Sequence, residues 1–368
     1  MDAHDLDLLW AHTLHGHARA PNDPLGTPIV PTSMYHLPGD PAGSHQYGRW
    51  SNPTWDALEN ALTSLESAEA VIFPSGMAAV AAVFFSTLRA GDRVLLPADG
   101  YYTTRALAEK FLAPLAVRVE SCATADLGRA ELSGYRLVWI ESPSNPMLEL
   151  ADIAAVTRRA HAEGALVAVD NTTASPLGQR PLALGADLVV VSDTKSVAGH
   201  SDVLLGHVAT ARAELAAGVR DWRKMAGAIA GPFEAWQVLR GLQTFEVRFE
   251  RMCASAHTLA TRLQSHPKVH AVRYPGLSDH PAHELARTQM RRSGHLLGIT
   301  LANKTAAETF LSSCRLVRQS TSFGGVHSSA ERRARWGDAV AEGFIRFSVG
   351  CEPIEPLWRD LENALESV

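Results

Sequence analysis

At 368 residues the chain is too long for one small core, so two domains are the default expectation. With 46% hydrophobic and 20% charged residues it reads as an ordinary globular protein, and a net charge of −5 offers no basic surface suited to nucleic acid or an anionic membrane. The four cysteines, Cys122, Cys253, Cys314 and Cys351, lie far apart and form no CxxC pair, which fits a reducing compartment and argues against a disulfide framework or a cysteine zinc site.

The first ten residues, MDAHDLDLLW, are acidic and lack the positive start and apolar core of a signal peptide. The longest near-apolar run, MAAVAAVFF, is too short to span a bilayer, so a cytoplasmic location is expected. Residues 1–45 carry much proline, glycine and histidine without a sustained period and read as an extended arm. NPTWDALENALTSLE then predicts a helix: Asn52 can cap, Pro53 suits the first turn, and Leu58, Leu62 and Leu65 share a face. From there to about residue 210, short apolar runs alternate with amphipathic stretches. DRVLLP, YRLVWIE, ALVAVD and DLVVVS predict buried strands, and RALAEKFLAPLA and DIAAVTRRAHAEGA predict helices between them. Repeated βα units imply a mostly parallel sheet with helices on both faces, and ligands of such sheets bind beyond the carboxyl ends of the strands. The stretch GPFEAWQVLRGLQTFEVRFERMCASAHTLATRL predicts one long helix, followed by weaker mixed segments. This places a large domain at 46–233 and a smaller α/β domain at 234–368.

Three predicted strands end in polar clusters: IESPSNP, VDNTT and VSDTKS. The last belongs to VVVSDTKSVAGHSD, in which Lys195 follows a strand buried on both faces. A lysine there is a phosphate contact, a Schiff-base former or a rim charge; burial would lower its pKa and free the amine to attack a carbonyl. Asp170, ending ALVAVD, reads as a helix cap or, beside an aldehyde-binding lysine, as the acid that keeps a pyridine nitrogen protonated. FPSGMAAVAAVFF offers a strand, a Ser75-Gly76-Met77 turn and a helix start, an arrangement that binds phosphate through backbone N–H groups and the macrodipole. Ser192 and Thr194 could add hydroxyl donors or simply satisfy nearby backbone.

The set YGRWSNPT, FPSGM, DGYYTTR, ESPSNP, VDNT, SDTKSVAGHSD, GPFEAW, TSFGGVHS and IRFSVGCE resembles the cysteine/methionine-metabolism family of pyridoxal-5′-phosphate (PLP) enzymes, with matches in order from about residue 28 to 352. The resemblance implies the aspartate aminotransferase-like fold type I. It makes Lys195 the residue that bonds to the cofactor aldehyde and Asp170 the partner of the pyridine nitrogen. Ser75, Gly76 and Met77 match the phosphate loop, and Ser192 and Thr194 its side-chain donors. Tyr47 and Arg49 match a pair that reaches the phosphate from the neighbouring subunit, which implies a homo-oligomer, a dimer of dimers in most relatives. Tyr101 matches a tyrosine that stacks on the cofactor ring and assists proton transfer. Asn145 and Arg346 match substrate-carboxylate binders, with Ser322 beside them, and an arginine fork suits a carboxylate because two parallel hydrogen bonds fix its orientation.

Departures from the family pattern bear on the substrate. Tyr102 and Thr103 stand where many relatives have two small residues, and the cysteine that methionine γ-lyases place near Thr103 is missing. His327 occupies a position that is commonly glutamate in cystathionine-handling members; it either receives the distal group of a substrate or sits on the rim. His12, His15 and His17 have no neighbouring carboxylate or cysteine at ligand spacing, so no metal is expected. The resulting expectation is PLP-dependent γ-elimination on a sulfur amino acid, a small-molecule substrate, with cystathionine γ-lyase as first choice. The alternatives are γ-replacement, as in cystathionine γ-synthase or O-acylhomoserine sulfhydrylase, then methionine γ-lyase. From another class, a non-catalytic scaffold would have been favoured by loss of Lys195 or Asp170; both are present.

Overall fold

A computed structural model describes residues 10, 11, 13, 14 and 20–368, so the cluster His12, His15 and His17 lies outside the described residues. The larger sheet has seven strands, β1 (Glu69–Phe73), β2 (Arg93–Pro97), β3 (Arg118–Cys122), β4 (Leu137–Glu141), β5 (Leu166–Asp170), β6 (Leu188–Val191) and β7 (Gly206–Thr210). Their spatial order is β1-β7-β6-β5-β4-β2-β3. The run from β6 to β3 is parallel, and β7 is antiparallel to both of its neighbours.

Each predicted strand is apolar on both faces for a visible reason. Successive side chains point to opposite sides of a sheet. Leu137, Trp139, Ala168 and Val190 accordingly pack with Val80, Val83 and Phe84 of the Gly76–Thr87 helix. Val138, Ile140, Val167 and Val169 pack instead with Ile153, Val156 and Ala160 of the Ile153–Ala162 helix. The Pro53–Glu66 helix starts as its sequence predicts, with the Thr54 N–H donating to Asn52 Oδ1 at 2.8 Å and Leu58, Leu62 and Leu65 buried.

Two helix expectations need correction. The 105–116 stretch is an α-helix only to Leu107, then a wider π turn (Ala108–Leu112) and a tight 3₁₀ turn (Ala113–Leu115). Pro114 explains the change, since its ring lacks an N–H and clashes with the carbonyl four residues earlier. The 231–263 stretch forms two helices, Pro232–Leu242 and Phe245–Gln264. At the break the Gly241 carbonyl accepts from the Arg248 guanidinium at 2.8 Å and from the Thr244 N–H at 3.2 Å, side-chain and turn bonds in place of a continuing ladder.

The smaller sheet contains β8 (Ala271–Arg273), β9 (Leu296–Thr300), β10 (Arg318–Gln319), β11 (Ser329–Arg332) and β12 (Phe344–Ser348), ordered β10-β11-β12-β9-β8. Its core joins Leu297, Ile299, Ile345 and Phe347 to Phe310 and Leu361 of the flanking helices. The apolar cluster of the large sheet runs on to Cys253 and that of the small sheet begins at Ala256, both on the Phe245–Gln264 helix. Residues 20–45 form no helix or regular strand; Val30 ties them to the Pro53–Glu66 helix through its N–H to Thr54 Oγ1 and its carbonyl to Asn52 Nδ2.

Candidate active site

Strands β4, β5 and β6 end side by side, and a cavity of about 400 Å³ opens beyond them, lined also by residues that follow β9. Asp170 closes β5 with its carboxylate in the cavity wall. Burial raises its pKa; the Thr172 N–H, donating at 3.0 Å, and the nearby Lys195 ammonium oppose that rise. Lys195 follows β6, and its Nζ donates to Ser322 Oγ at 2.9 Å. Burial, helped by the positive charge of Arg346 and opposed by Asp170, lowers the lysine to about 8. A fraction of the amine is therefore unprotonated near neutral pH, as a nucleophile or base requires.

Ser322 holds a left-handed backbone, φ +72°, unusual for a residue with a side chain. That turn presents its hydroxyl to Lys195 while its carbonyl accepts from Arg346 at 2.8 Å. Arg346 is buried and its other nitrogen donates to Asn145 Oδ1 at 2.7 Å. Lys195, Asn145, Ser322 and Arg346 thus come from four segments of the sequence to one wall. Elsewhere on the cavity wall, Ser75 caps the Gly76–Thr87 helix by accepting the Ala78 N–H at 3.1 Å. A Cβ on Gly76 would lie 2.7 Å from Ser192 Cβ, so only glycine allows the turn and the lysine loop to approach this closely. Ser75, Gly76, Met77, Ser192 and Thr194 all line the cavity. The Thr194 hydroxyl is engaged with Leu205, donating to its carbonyl at 3.1 Å and accepting its N–H at 3.0 Å.

Tyr101 lines the cavity, with its ring 5.4 Å from that of Tyr102. Its position depends on Glu141, a residue that the sequence reading passed over. Glu141 ends β4 level with Asp170 and accepts the backbone N–H groups of Tyr101 at 2.6 Å and Asn145 at 2.8 Å. Burial and then the Asp170 charge push it up to about 8. The same signal that marked Asp170, an acid closing a buried strand, was there to mark Glu141. Arg333 and Trp336 also line the cavity and were missed, because AERRARWGD reads as a solvated charge run. Glu331 gathers that run: it accepts from Arg346 and Arg333 at 2.6 Å, from Trp336 Nε1 at 2.8 Å and from Arg335 at 3.0 Å. Burial would raise its pKa, but the surrounding arginines and the indole donor leave it lowered.

Three expected site residues lie elsewhere. His327 is exposed and is not among the residues that line this chain's cavity. Its neighbours are held by the Val326 N–H, which donates to the Gly199 carbonyl, and the Ser328 N–H, which donates to the Glu352 carboxylate. Tyr47 and Arg49 do not line this chain's cavity either. Tyr47 is exposed, and the half-buried Arg49 donates to the Lys224 carbonyl at 2.9 Å while lying 5.4 Å from the Tyr47 ring centroid.

A lysine, an acid and a phosphate-sized turn at the strand ends agree with what the chain resembles. Residues 12–366 match the family model described as Cys/Met metabolism PLP-dependent enzyme. The chain is 50% identical over 339 residues to a Streptomyces coelicolor protein named "Putative cystathionine gamma-lyase", covering 90% of this chain and 86% of the other. It is 39% identical over 356 residues to cystathionine gamma-synthase of Mycobacterium tuberculosis, covering 93% and 92%. Among solved structures, metB from Corynebacterium glutamicum superposes with a TM-score of 0.94 at 35% identity, covering 97% of both chains, and so carries the fold type I reading. Cavity, fold and sequence together establish that this chain belongs to the Cys/Met metabolism PLP-dependent enzyme family.

Proposed function

We propose that the protein is a cystathionine γ-lyase, converting cystathionine and water to cysteine, 2-oxobutyrate and ammonia. The observation that carries the reading is the placement of Lys195 between Asp170 and Arg346, with its amine poised near neutral pH. The cavity fits PLP by the chemistry of its walls. The first N–H groups of a helix have no partner inside the helix, and here they meet Ser75 and Ser192 at the tight Gly76 turn, suited to a phosphate. Asp170, a buried carboxylate, suits a protonated ring nitrogen. When bound, PLP supplies the electron sink that absorbs the charge left at Cα.

The protein groups then have separate tasks. Arg346 and Asn145 hold the α-carboxylate of the substrate, which fixes the rotation of its Cα–H bond toward Lys195. The Lys195 amine takes the Cα proton, and a second proton leaves Cβ so that the γ-sulfur can depart. Tyr101, over the same cavity, assists proton transfer. Tyr47 and Arg49, exposed or half-buried and away from their own chain's cavity, reach the phosphate of a neighbouring subunit in a homo-oligomer, a dimer of dimers. Among the described residues no helix is long and apolar enough to cross a membrane, and all four cysteines are free; both support a cytoplasmic location.

γ-Replacement is the second reading, favoured by the 39% identity to a γ-synthase. One assay separates them. Pure enzyme is incubated with cystathionine, methionine, homocysteine, or an acylated homoserine plus cysteine, and 2-oxobutyrate and cystathionine are measured. Release of 2-oxobutyrate from cystathionine supports the lyase; its absence, with cystathionine made from the acylated homoserine, supports the synthase.

A further inference from the structure

Next to the cavity-lining residues of the lysine loop lies a charged trio that the proposed chemistry does not use. Glu66, Asp193 and His207 come from the end of the Pro53–Glu66 helix, the lysine loop and β7, and each is at most 2% exposed. His207 Nδ1 lies 2.8 and 3.0 Å from the two Asp193 carboxylate oxygens, and Nε2 lies 3.3 Å from Glu66 Oε1. Both ring nitrogens face carboxyl groups, an arrangement that favours a doubly protonated, cationic ring, while burial raises the Asp193 pKa and the ring opposes that rise. Burial alone would lower the His207 pKa, but the two acids raise it to about 10. Buried ions add little net stability compared with apolar packing, so the trio has its effect in geometry.

That geometry leads to the phosphate turn. Asp193 stands between Ser192 and Thr194, and its carbonyl accepts the Ala198 N–H at 2.9 Å. His207 follows Gly206, whose side of β7 is the opposite one. A Cβ on Gly206 would lie 2.7 Å from Gly76 Cα, and one on Gly76 would lie 2.7 Å from Ser192 Cβ. One face of β7 therefore abuts the Gly76 turn while the other grips the residue next to Ser192. We propose that His207 is a positioning residue for the cofactor-phosphate cradle: by holding Asp193 it keeps Ser192 and the Gly76–Met77 N–H groups aimed at one point. This rests on the reading of Ser75–Met77 and Ser192 as the phosphate site.

The test compares PLP with pyridoxal, which lacks the phosphate, in equilibrium binding to the full-length chain after removal of cofactor. The variants are His207→Gln and Ser192→Ala, with Asp193→Asn breaking the same contact should His207→Gln not fold. His207→Gln is expected to weaken PLP on the order of tenfold, the size seen when outer partners of metal ligands are removed. Pyridoxal affinity should stay within about twofold, because its bond to Lys195 and its ring contact with Asp170 do not use the cradle. Selective loss of PLP affinity upholds the inference. Unchanged PLP affinity, or an equal loss for both aldehydes, overturns it. If Ser192→Ala loses PLP selectively and His207→Gln does not, the inference alone fails; if neither does, the cradle reading fails with it.

Discussion

Glu331 and Arg346 face each other across the antiparallel β11–β12 pair, and the carboxylate accepts the guanidinium N–H at 2.6 Å. This contact, with Asn145 Oδ1 and the Ser322 carbonyl, fixes the plane of the arginine before any substrate arrives. A lysine at this position would keep the charge but lose the planar fork. Arg346→Lys is expected to lower kcat/KM by roughly ten- to a hundredfold, the value of about 1.5–3 kcal/mol for a charged hydrogen bond. The loss should fall mainly on KM in steady-state kinetics with cystathionine. An unchanged KM would remove Arg346 from the carboxylate site.

Lys195 gives a prediction with two independent readouts. Lys195→Ala should reduce turnover by roughly 10³-fold or more, since both the bond to the cofactor and the base are lost. The fold should survive, because Lys195 is only half-buried and its side chain faces the cavity. The folded-state pKa of about 8 lies below the ordinary 10.5, so the unfolded chain holds this proton longer as pH rises. Stability from this group therefore rises between pH 8 and 10.5 in cofactor-free protein. Subtracting the Lys195→Ala urea-unfolding profile from that of the unaltered chain should show this rise; a flat difference would place the amine in solvent.

Glu141 is shifted the other way. Its folded-state pKa of about 8 exceeds the ordinary 4.5, so the folded chain binds more protons in that window and this group's contribution to stability falls as pH rises from 4.5 to 8. Its two oxygens accept two backbone N–H groups, from Tyr101 and Asn145. Glutamine has only one acceptor oxygen, so Glu141→Gln leaves one buried N–H facing an NH₂ group. The expected cost is about 1–3 kcal/mol near pH 4.5, where ionisation of Glu141 takes little from the unaltered chain, measured by urea unfolding, and it should shrink as pH rises toward 8. A variant as stable as the unaltered chain would show that Glu141 does not hold these segments.

The strands that build the site were legible because β4, β5 and β6 are buried on both faces and read as unbroken apolar runs. Lys195 and Asp170 stood out for the same reason, as charges at the ends of such runs. β3 was not legible: Arg118–Cys122 is mostly exposed at the sheet edge and has no apolar pattern. The role of Glu331, Arg333 and Trp336 depends on the pairing of β11 with β12, a long-range register that no local period reports. His327 was recognisable from its place in the motif, but its exposure was not: there the chain is held on either side by the Val326 N–H on the Gly199 carbonyl and the Ser328 N–H on the Glu352 carboxylate.

The shared-pocket proposal makes the most demanding prediction. Arg49 rests against the Lys224 carbonyl and Tyr47 and does not line its own chain's cavity, the placement a residue serving a neighbouring subunit's phosphate would have. Arg49→Ala should therefore weaken PLP retention by roughly tenfold or more without altering the chain's own cavity walls. When Arg49→Ala chains are mixed with Lys195→Ala chains, each mixed dimer would contain one cavity with both defects and one with neither. Random pairing of equal amounts makes about half of all dimers mixed and restores about one quarter of the sites. Assayed at a PLP concentration low enough to leave Arg49→Ala sites largely empty, activity should thus recover to about a quarter of that of the unaltered enzyme after subunit exchange. If the mixture stays as inactive as its parents while exchange is demonstrated by differently tagged chains, Arg49 acts within its own subunit and the pocket is not shared.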